Sequence, residues 1–323
     1  MLKFTAVGRS HPGMRRENNE DNHLVLPECR LFAVADGMGG HAAGEVASGM
    51  VISVLEEVCR GALCTGEKDG LQPEPDQVLT CALTSANQKV FRQGMENPAQ
   101  RGMGSTATAM FIGDDDCYTL GHVGDSRAYR YFEGEVTRLT TDHSLVQEQQ
   151  DLGLLNEEDA STHRLKNVIT RSIGGREEVD VDTVRGRCGG GEIYLLCSDG
   201  FSNEVTPKDM AGILSGPESL EAKAAKCIDL ANEKDGTDNI TVVLVAVEAA
   251  AADTGRESGS DSATVGTADE GARTVISTEA AEAVKKVTTA GGKKKGRVTR
   301  LALIFFFIII VAAAAWYFFN YID

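Results

Sequence analysis

Six carboxylates of this sequence stand at the margins of apolar runs. Glu20 and Asp21, in RRENNEDN, precede HLVLP; Asp36 follows Leu31–Ala35; Asp125 lies in LGHVGDSR; Asp199 closes IYLLCSDG; Asp238, with Asn239, precedes ITVVLVAV. One Asp in such a place is ordinary turn or cap chemistry. Repetition points elsewhere. If the runs are neighbouring strands, their ends converge, and carboxylates brought together repel and raise one another's pKa. A hard divalent cation relieves that repulsion, and an all-oxygen donor set without Cys or clustered His suits Mg2+ or Mn2+ rather than Zn2+. Gly37 lets a main-chain carbonyl approach the metal without a Cβ in the way. Two cations about 3.5–4 Å apart can activate one water for in-line hydrolysis of a phosphate ester. Such a dianion needs a cationic clamp, for which Arg16 is placed, with Arg15 as the fallback, because guanidinium matches phosphate oxygens bidentately.

A rival reading uses the same residues. Gly37-x-Gly39-x-x-Ala42 after a strand has the outline of a dinucleotide fingerprint, with Glu56 or Glu57 about 20 residues on. Asp36 would then press a negative charge against the pyrophosphate, and the glutamates fall inside a helix rather than after a second strand. The reading is set aside.

The elements that must hold these residues follow from periodicity. LFAVAD, TATAMFI, CYTLGHVGD, RAYRYF, EIYLLCSD and NITVVLVAVE read as strands. Val46 to Val58, Asp76 to Glu96 and Glu218 to Glu233 carry helical apolar spacing. The strands come in consecutive groups, which favours an α+β layered domain over a doubly wound sheet. Residues 145–180 read as a polar helical insertion. Within TTDHS, Asp142 or Ser144 suits a helix cap beside His143.

The formal charge is −16, and residues 1–248 carry 23 Lys+Arg against 40 Asp+Glu. An acidic body argues against a nucleic-acid partner. The eight cysteines, without a C-x-x-C pair, read as buried reduced thiols in a cytosolic domain. The first residues show no apolar run of signal-peptide type.

Residues 249–296 are rich in Ala, Gly, Ser, Thr and charge and read as a flexible linker. Residues 297–323 are a basic flank and an apolar segment. Leu301–Phe319 holds 19 residues without a charge, about 28 Å as a helix, the thickness of a bilayer core. Trp316, Tyr317 and Tyr321 mark one end; Lys293, Lys294, Lys295, Arg297 and Arg300 mark the other. The expectation is a single C-terminal transmembrane helix in the cell membrane, with the preceding domain in the cytoplasm.

RRENNED, VADGMGGHAAGE, GMGSTAT, GHVGDSR, LTTDHSL, LLCSDGF and DGTDNITVVLV, in this order, resemble the motifs of metal-dependent serine/threonine protein phosphatases. This is the protein phosphatase 2C, or PPM, family in its bacterial form, and the resemblance covers about residues 3–247. It implies a central antiparallel β-sandwich flanked by helices on both faces, and hydrolysis of phosphoserine and phosphothreonine in proteins. It implies two Mn2+ or Mg2+ ions, with a weaker third in bacterial members. Asp36 bridges both metals in that scheme, and Gly37 ligates through its carbonyl. Asp199 and Asp238 complete one site, Glu20 serves the other, and Asp21 orients solvent. Asp125 joins Asp199 at the third position, Arg16 binds phosphate, and Asn239 supports Asp238. A serine/threonine kinase and its substrates are the implied partners. Animal members place a His directly after Asp-Gly, where this chain has Met38, which cannot donate a proton. The leaving-group acid stays open between His41, which also suits a helix cap, and a water on the metal. The insertion becomes a flap beside the site, with no role assigned to His163 or Arg164. The alternative to an enzyme is a non-catalytic phosphoprotein-binding scaffold of the same fold.

Overall fold

A computed structural model describes residues 2–39, 43–63, 74–156, 159–160 and 163–248. The linker at 249–296 and the apolar segment 301–319 lie outside the described residues, as does His41. Among the described residues no helix is long and apolar enough to cross a membrane.

The elements run β1 (Phe4–His11), β2 (Asp21–Leu26), β3 (Leu31–Met38), α1 (Ala43–Leu63), α2 (Pro75–Glu96), β4 (Gly104–Ser105), β5 (Ala107–Ile112), β6 (Cys117–Val123), β7 (Arg127–Phe132), β8 (Glu135–Arg138), α3 (Leu145–Asp151), β9 (Asp182–Arg187), β10 (Ile193–Cys197), α4 (Asp199–Ser202), α5 (Pro207–Leu214), α6 (Leu220–Lys234) and β11 (Ile240–Val247). One sheet has the order β1-β11-β10-β7-β8; the other has β2-β3-β5-β6-β9, with β4 paired to β3. The strand pairs are antiparallel.

Period-two alternation assigns each central strand two buried faces. From β10, Tyr194 and Leu196 join Phe32, Val34, Met110, Leu120 and Val243 between the sheets. Leu195 and Cys197 face the other way, against Phe201, Met210, Leu214 and Cys227 of α4 to α6. From β3, Ala33 and Ala35 meet α1 and α2 through Ala47, Val51, Leu55, Leu79 and Leu83. The result is a four-layer αββα sandwich, as the sequence implied. Strands covered on both faces read as unbroken apolar runs. The strands that the runs did not reveal, β1, β8 and β9, are all sheet edges, where charged and half-exposed residues are tolerated.

Two expectations need correction. Among the described residues, the segment between β8 and β9 is helical at α3 and at residues 159–160 and otherwise made of turns, bends and isolated bridges. Ile173 is fully buried there and exchanges two main-chain hydrogen bonds with Ser105, at 3.0 and 2.8 Å. Packing on the sheet overrides the polar pattern around it. The cysteines are not uniformly reduced and buried: Cys29 is disulfide-bonded, and of the free thiols Cys81 is exposed.

Phe32 is fully buried between the sheets and meets Phe4 edge to face at 5.6 Å. Phe32→Ala is expected to destabilise the domain by about 3–5 kcal/mol, read from the denaturant midpoint. A loss below about 1 kcal/mol would contradict its place at the centre of the sandwich.

Candidate active site

At one end of the sandwich a cavity of about 330 Å3 is lined by Arg16, Glu20, Asp36, Gly37, Asp125, Asp199, Asp238 and Asn239, together with Met38, Gly39, Thr106, Asn167 and Ile169. Residues more than 200 positions apart in the chain meet there because β2, β3, β10 and β11 bring their ends together.

Asp36 is held from its main chain. Its N–H donates to Thr106 Oγ1 at 2.9 Å, its carbonyl accepts from Thr106 N–H at 2.8 Å, and Thr106 Oγ1 lies 2.6 Å from Ser126 Oγ. The carboxylate is thereby free to face the cavity. In the sequence, Thr106 reads only as a small residue for close packing; its cross-strand position beside Asp36 was not visible there. Gly37 N–H donates to Glu20 O at 3.1 Å. A Cβ on Gly37 would fall 2.1 Å from Gly44 O and 2.6 Å from Glu20 O, so the crossing of these backbones requires glycine.

Asp21 is paired with Asp36 across β2 and β3 but is buried and does not line the cavity. Its Oδ2 accepts from Ser198 Oγ at 2.7 Å, while Oδ1 has no hydrogen-bond partner. Asp238 accepts from Arg16 Nη2 at 2.8 Å and from the N–H of Asn239 at 2.8 Å. The main chain of Asn239 thus meets Asp238, and its side chain reaches elsewhere. Oδ1 accepts from Glu20 N–H at 2.8 Å, and Nδ2 donates to Pro12 O at 3.0 Å and Asn18 O at 2.9 Å. One amide fastens the whole Arg16–Glu20 loop to the start of β11. Of the two candidate arginines, Arg16 borders the cavity and Arg15 pairs with Asp235 at 2.9 Å.

The electrostatics match a crowd of like charges. Burial, reinforced by Asp21, Asp199, Asp125 and Asp238, pushes Asp36 well above the ordinary carboxylate range. Burial and then Asp199 raise Asp125 to about 8. Burial, against the pull of the Thr241 and Ser198 hydroxyls, raises Asp21 to about 7. Burial and Asp238 raise Asp199, against a hydrogen bond with Asp36. Burial also raises Glu20, though less crowded by neighbours. Among the described residues no group of three such side chains is already closed on one metal position. The raised carboxyls of Glu20, Asp36, Asp125 and Asp199 that line the cavity are oxygen donors of the kind that fit hard divalent cations.

Met38 lines the cavity, and no histidine among the described residues does so. His163 and Arg164 border a separate cavity with Leu155 and Leu165. Ser144, not Asp142, caps α3, accepting from Gln147 N–H at 3.2 Å. Asp142 instead forks between Arg127 and Arg138.

A cavity rimmed by carboxylates and one arginine, at the end of an αββα sandwich, defines a class that comparison with known proteins identifies. The sequence profile of the protein phosphatase 2C family matches residues 7–225. The chain belongs to that family. It is 38% identical over 249 residues to the serine/threonine protein phosphatase PstP of Mycobacterium tuberculosis, covering 76% of this chain and 45% of that protein's length. It is 36% identical over 242 residues to the serine/threonine phosphatase Stp of Listeria monocytogenes, covering 73% of this chain and 93% of that protein. A solved structure of the PstP catalytic domain in complex with two manganese ions superposes with a TM-score of 0.67 at 36% identity, over 77% of this chain and all of that one.

The raised carboxyls set a pH dependence. Between about pH 6.5 and 8 the folded, metal-free domain holds protons at Asp21 and Asp125 that the unfolded chain has lost. Its stability therefore falls as pH rises through that window. His122, lowered to about 4 chiefly by burial, acts with the opposite sign but only at lower pH. Bound Mn2+ is expected to abolish the decline and to expel protons on binding. Thermal melts across the window and calorimetry in buffers of different ionisation enthalpy check both. A flat metal-free profile would contradict the site electrostatics.

Proposed function

We propose that this chain is a protein serine/threonine phosphatase hydrolysing phosphoserine and phosphothreonine monoesters, with a divalent-cation centre of two Mn2+ or Mg2+ ions and a weaker third. The observation that carries the reading is the convergence of Glu20, Asp36, Asp125, Asp199 and Asp238 on one cavity with Arg16 at its edge. The family membership and the manganese-bearing relative support it.

Asp36, the Gly37 carbonyl, Asp199, Asp238 and Glu20 would hold the two cations, and Asp125 with Asp199 the third. Cations so held neutralise the phosphate and lower the pKa of an attacking water. The protein's own groups do the rest. Arg16 lies half exposed beside Asp238, where its planar fork can take two phosphate oxygens and orient the ester. Asn239 keeps that arginine's loop against the strand end. Asp21, buried beside Asp36 on the neighbouring strand, would orient solvent from behind the cavity. Met38 offers no proton, so the leaving serine or threonine oxygen must take its proton from elsewhere than the residue following Gly37.

We further infer that Leu301–Phe319 anchors the chain in the cell membrane, with the phosphatase domain cytoplasmic. The charge-free length and the basic and aromatic flanks support this. A linker at 249–296, read from its composition, would let the domain sweep a patch of membrane, over roughly 5–6 Å × √n for n linker residues. A serine/threonine kinase and its substrates are the partners proposed by family analogy; the acidic body disfavours nucleic acid.

Phosphopeptide hydrolysis with Mn2+ titrated from zero tests the chemistry. Asp199→Asn is expected to reduce turnover by about two orders of magnitude, the scale at which removing one charge-stabilising group acts; equal rates would place the cations on other residues. Arg16→Lys is expected to raise KM and lower kcat/KM by roughly tenfold or more, because a point charge does not replace a bidentate fork. Deleting residues 297–323 is expected to move the protein from the membrane to the soluble fraction with full metal-dependent activity. Retention at the membrane after the deletion would refute the anchor.

A further inference from the structure

The turn that presents Asp125 does not hold itself. Gly124 has φ +110°, and a Cβ there would fall 2.6 Å from Thr106 Cγ2. Both of its main-chain polar groups are taken by one residue. His143 N–H donates to Gly124 O at 2.8 Å, and Gly124 N–H donates to His143 Nδ1 at 3.0 Å. Because the amide must be the donor, Nδ1 carries no proton and the neutral ring keeps its hydrogen on Nε2. Nε2 stands 3.1 Å from Asp182 Oδ2 and 3.1 Å from Arg171 Nη1, which also donates to the other oxygen of Asp182 at 2.5 Å. The ring is 7% exposed, and it stacks on His122 at 4.8 Å between centroids.

The main chain around His143 reaches the other way. His143 O accepts from Thr170 N–H at 2.8 Å, and Leu145 N–H donates to Val168 O at 2.9 Å. Ser144 forms an antiparallel bridge with Ile169. The segment so held carries Asn167 and Ile169, which line the catalytic cavity. His143 therefore stands between two parts of the cavity wall that share no strand: the Asp125 turn and the 167–170 strap. A histidine buried only for stability would need its ring satisfied, but not by the N–H of the residue preceding Asp125 while its own main-chain N–H takes that residue's carbonyl.

We propose that His143 is a positioning residue: its imidazole sets the attitude of the Asp125 turn, and its main chain keeps that turn in register with the strap. The consequence for cation binding rests on the reading of Asp125 as a ligand given above. Groups that orient ligands from outside the coordination sphere typically alter metal affinity 10- to 100-fold when lost.

Two surrogates separate the ring's two bonds. In His143→Asn, Oδ1 falls near the Nδ1 position and can still accept from Gly124. In His143→Gln, the amide reaches toward Asp182 but leaves Gly124 N–H without an acceptor. The full chain in detergent is titrated with Mn2+ by calorimetry, with Asp125→Ala marking the binding event that belongs to that side chain. Exchange of the Gly124 amide is followed in parallel. The expected result is a loss of about tenfold or more in the Asp125-dependent event, and faster Gly124 exchange, in His143→Gln. His143→Asn should stay near wild type in both. Wild-type behaviour of His143→Gln, or equal damage in both variants, overturns the proposal. If Asp125→Ala leaves the titration unchanged, the ligand reading of Asp125 falls instead. Gly124 exchange then decides the positioning role alone: faster in Gln but not in Asn sustains it, and equal rates overturn it.

Discussion

Asp21, Asp36, Asp125, Asp199 and Asp238 repel one another within one end of a sandwich, and the architecture around them is arranged to hold them there. Water would screen such a cluster at a surface, but Asp21, Asp36, Asp125 and Asp199 are withdrawn from it, and their carboxyls are raised accordingly. A protein bears such a cost where something compensates it. Protons do so in the metal-free state; divalent cations do so in the proposed working state. The same repulsion that opposes folding thus becomes affinity for cations and, through them, for a phosphate dianion.

Rigid supports make this possible. Asp36 sits on a strand buried on both faces, so its Cα has little room to retreat. Thr106 fixes its peptide groups on one side, and the Ser198 hydroxyl fixes Asp21 beneath. Asn239 spends its side chain on three main-chain groups of the N-terminal loop, which converts a mobile type of segment into a wall carrying Arg16 and Glu20. None of these supports is charged. Neutral donors and acceptors can be saturated by hydrogen bonds at little net cost, whereas further charges would have joined the repulsion.

The segment between β8 and β9 shows how the domain shapes the rest of the cavity. It is anchored at Ile173, through the buried bridge to Ser105, and at Ser144–Leu145, beside Ile169 and Val168. Between these anchors Asn167 and Ile169 reach the site, while Leu152, Leu154 and Leu165 stay exposed. At these anchors backbone pairing holds the segment, with Ile173 buried against the sheet.

The layered fold, the central strands and the six carboxylates were legible in the sequence by itself. Strands buried on both faces must be continuously apolar, and charges stationed at their ends stand out against them. The edge strands β1, β8 and β9 were not legible, because one open side relaxes the demand for apolar residues. The pairing of Arg15 with Asp235 away from the cavity, the depth of Asp21, and the parts played by Thr106, Asn239 and His143 belong to the tertiary structure. Each depends on which atoms meet across 20 to more than 200 residues of chain. Local propensity carries no record of such meetings, since hydrogen bonds between distant backbones are decided by packing alone.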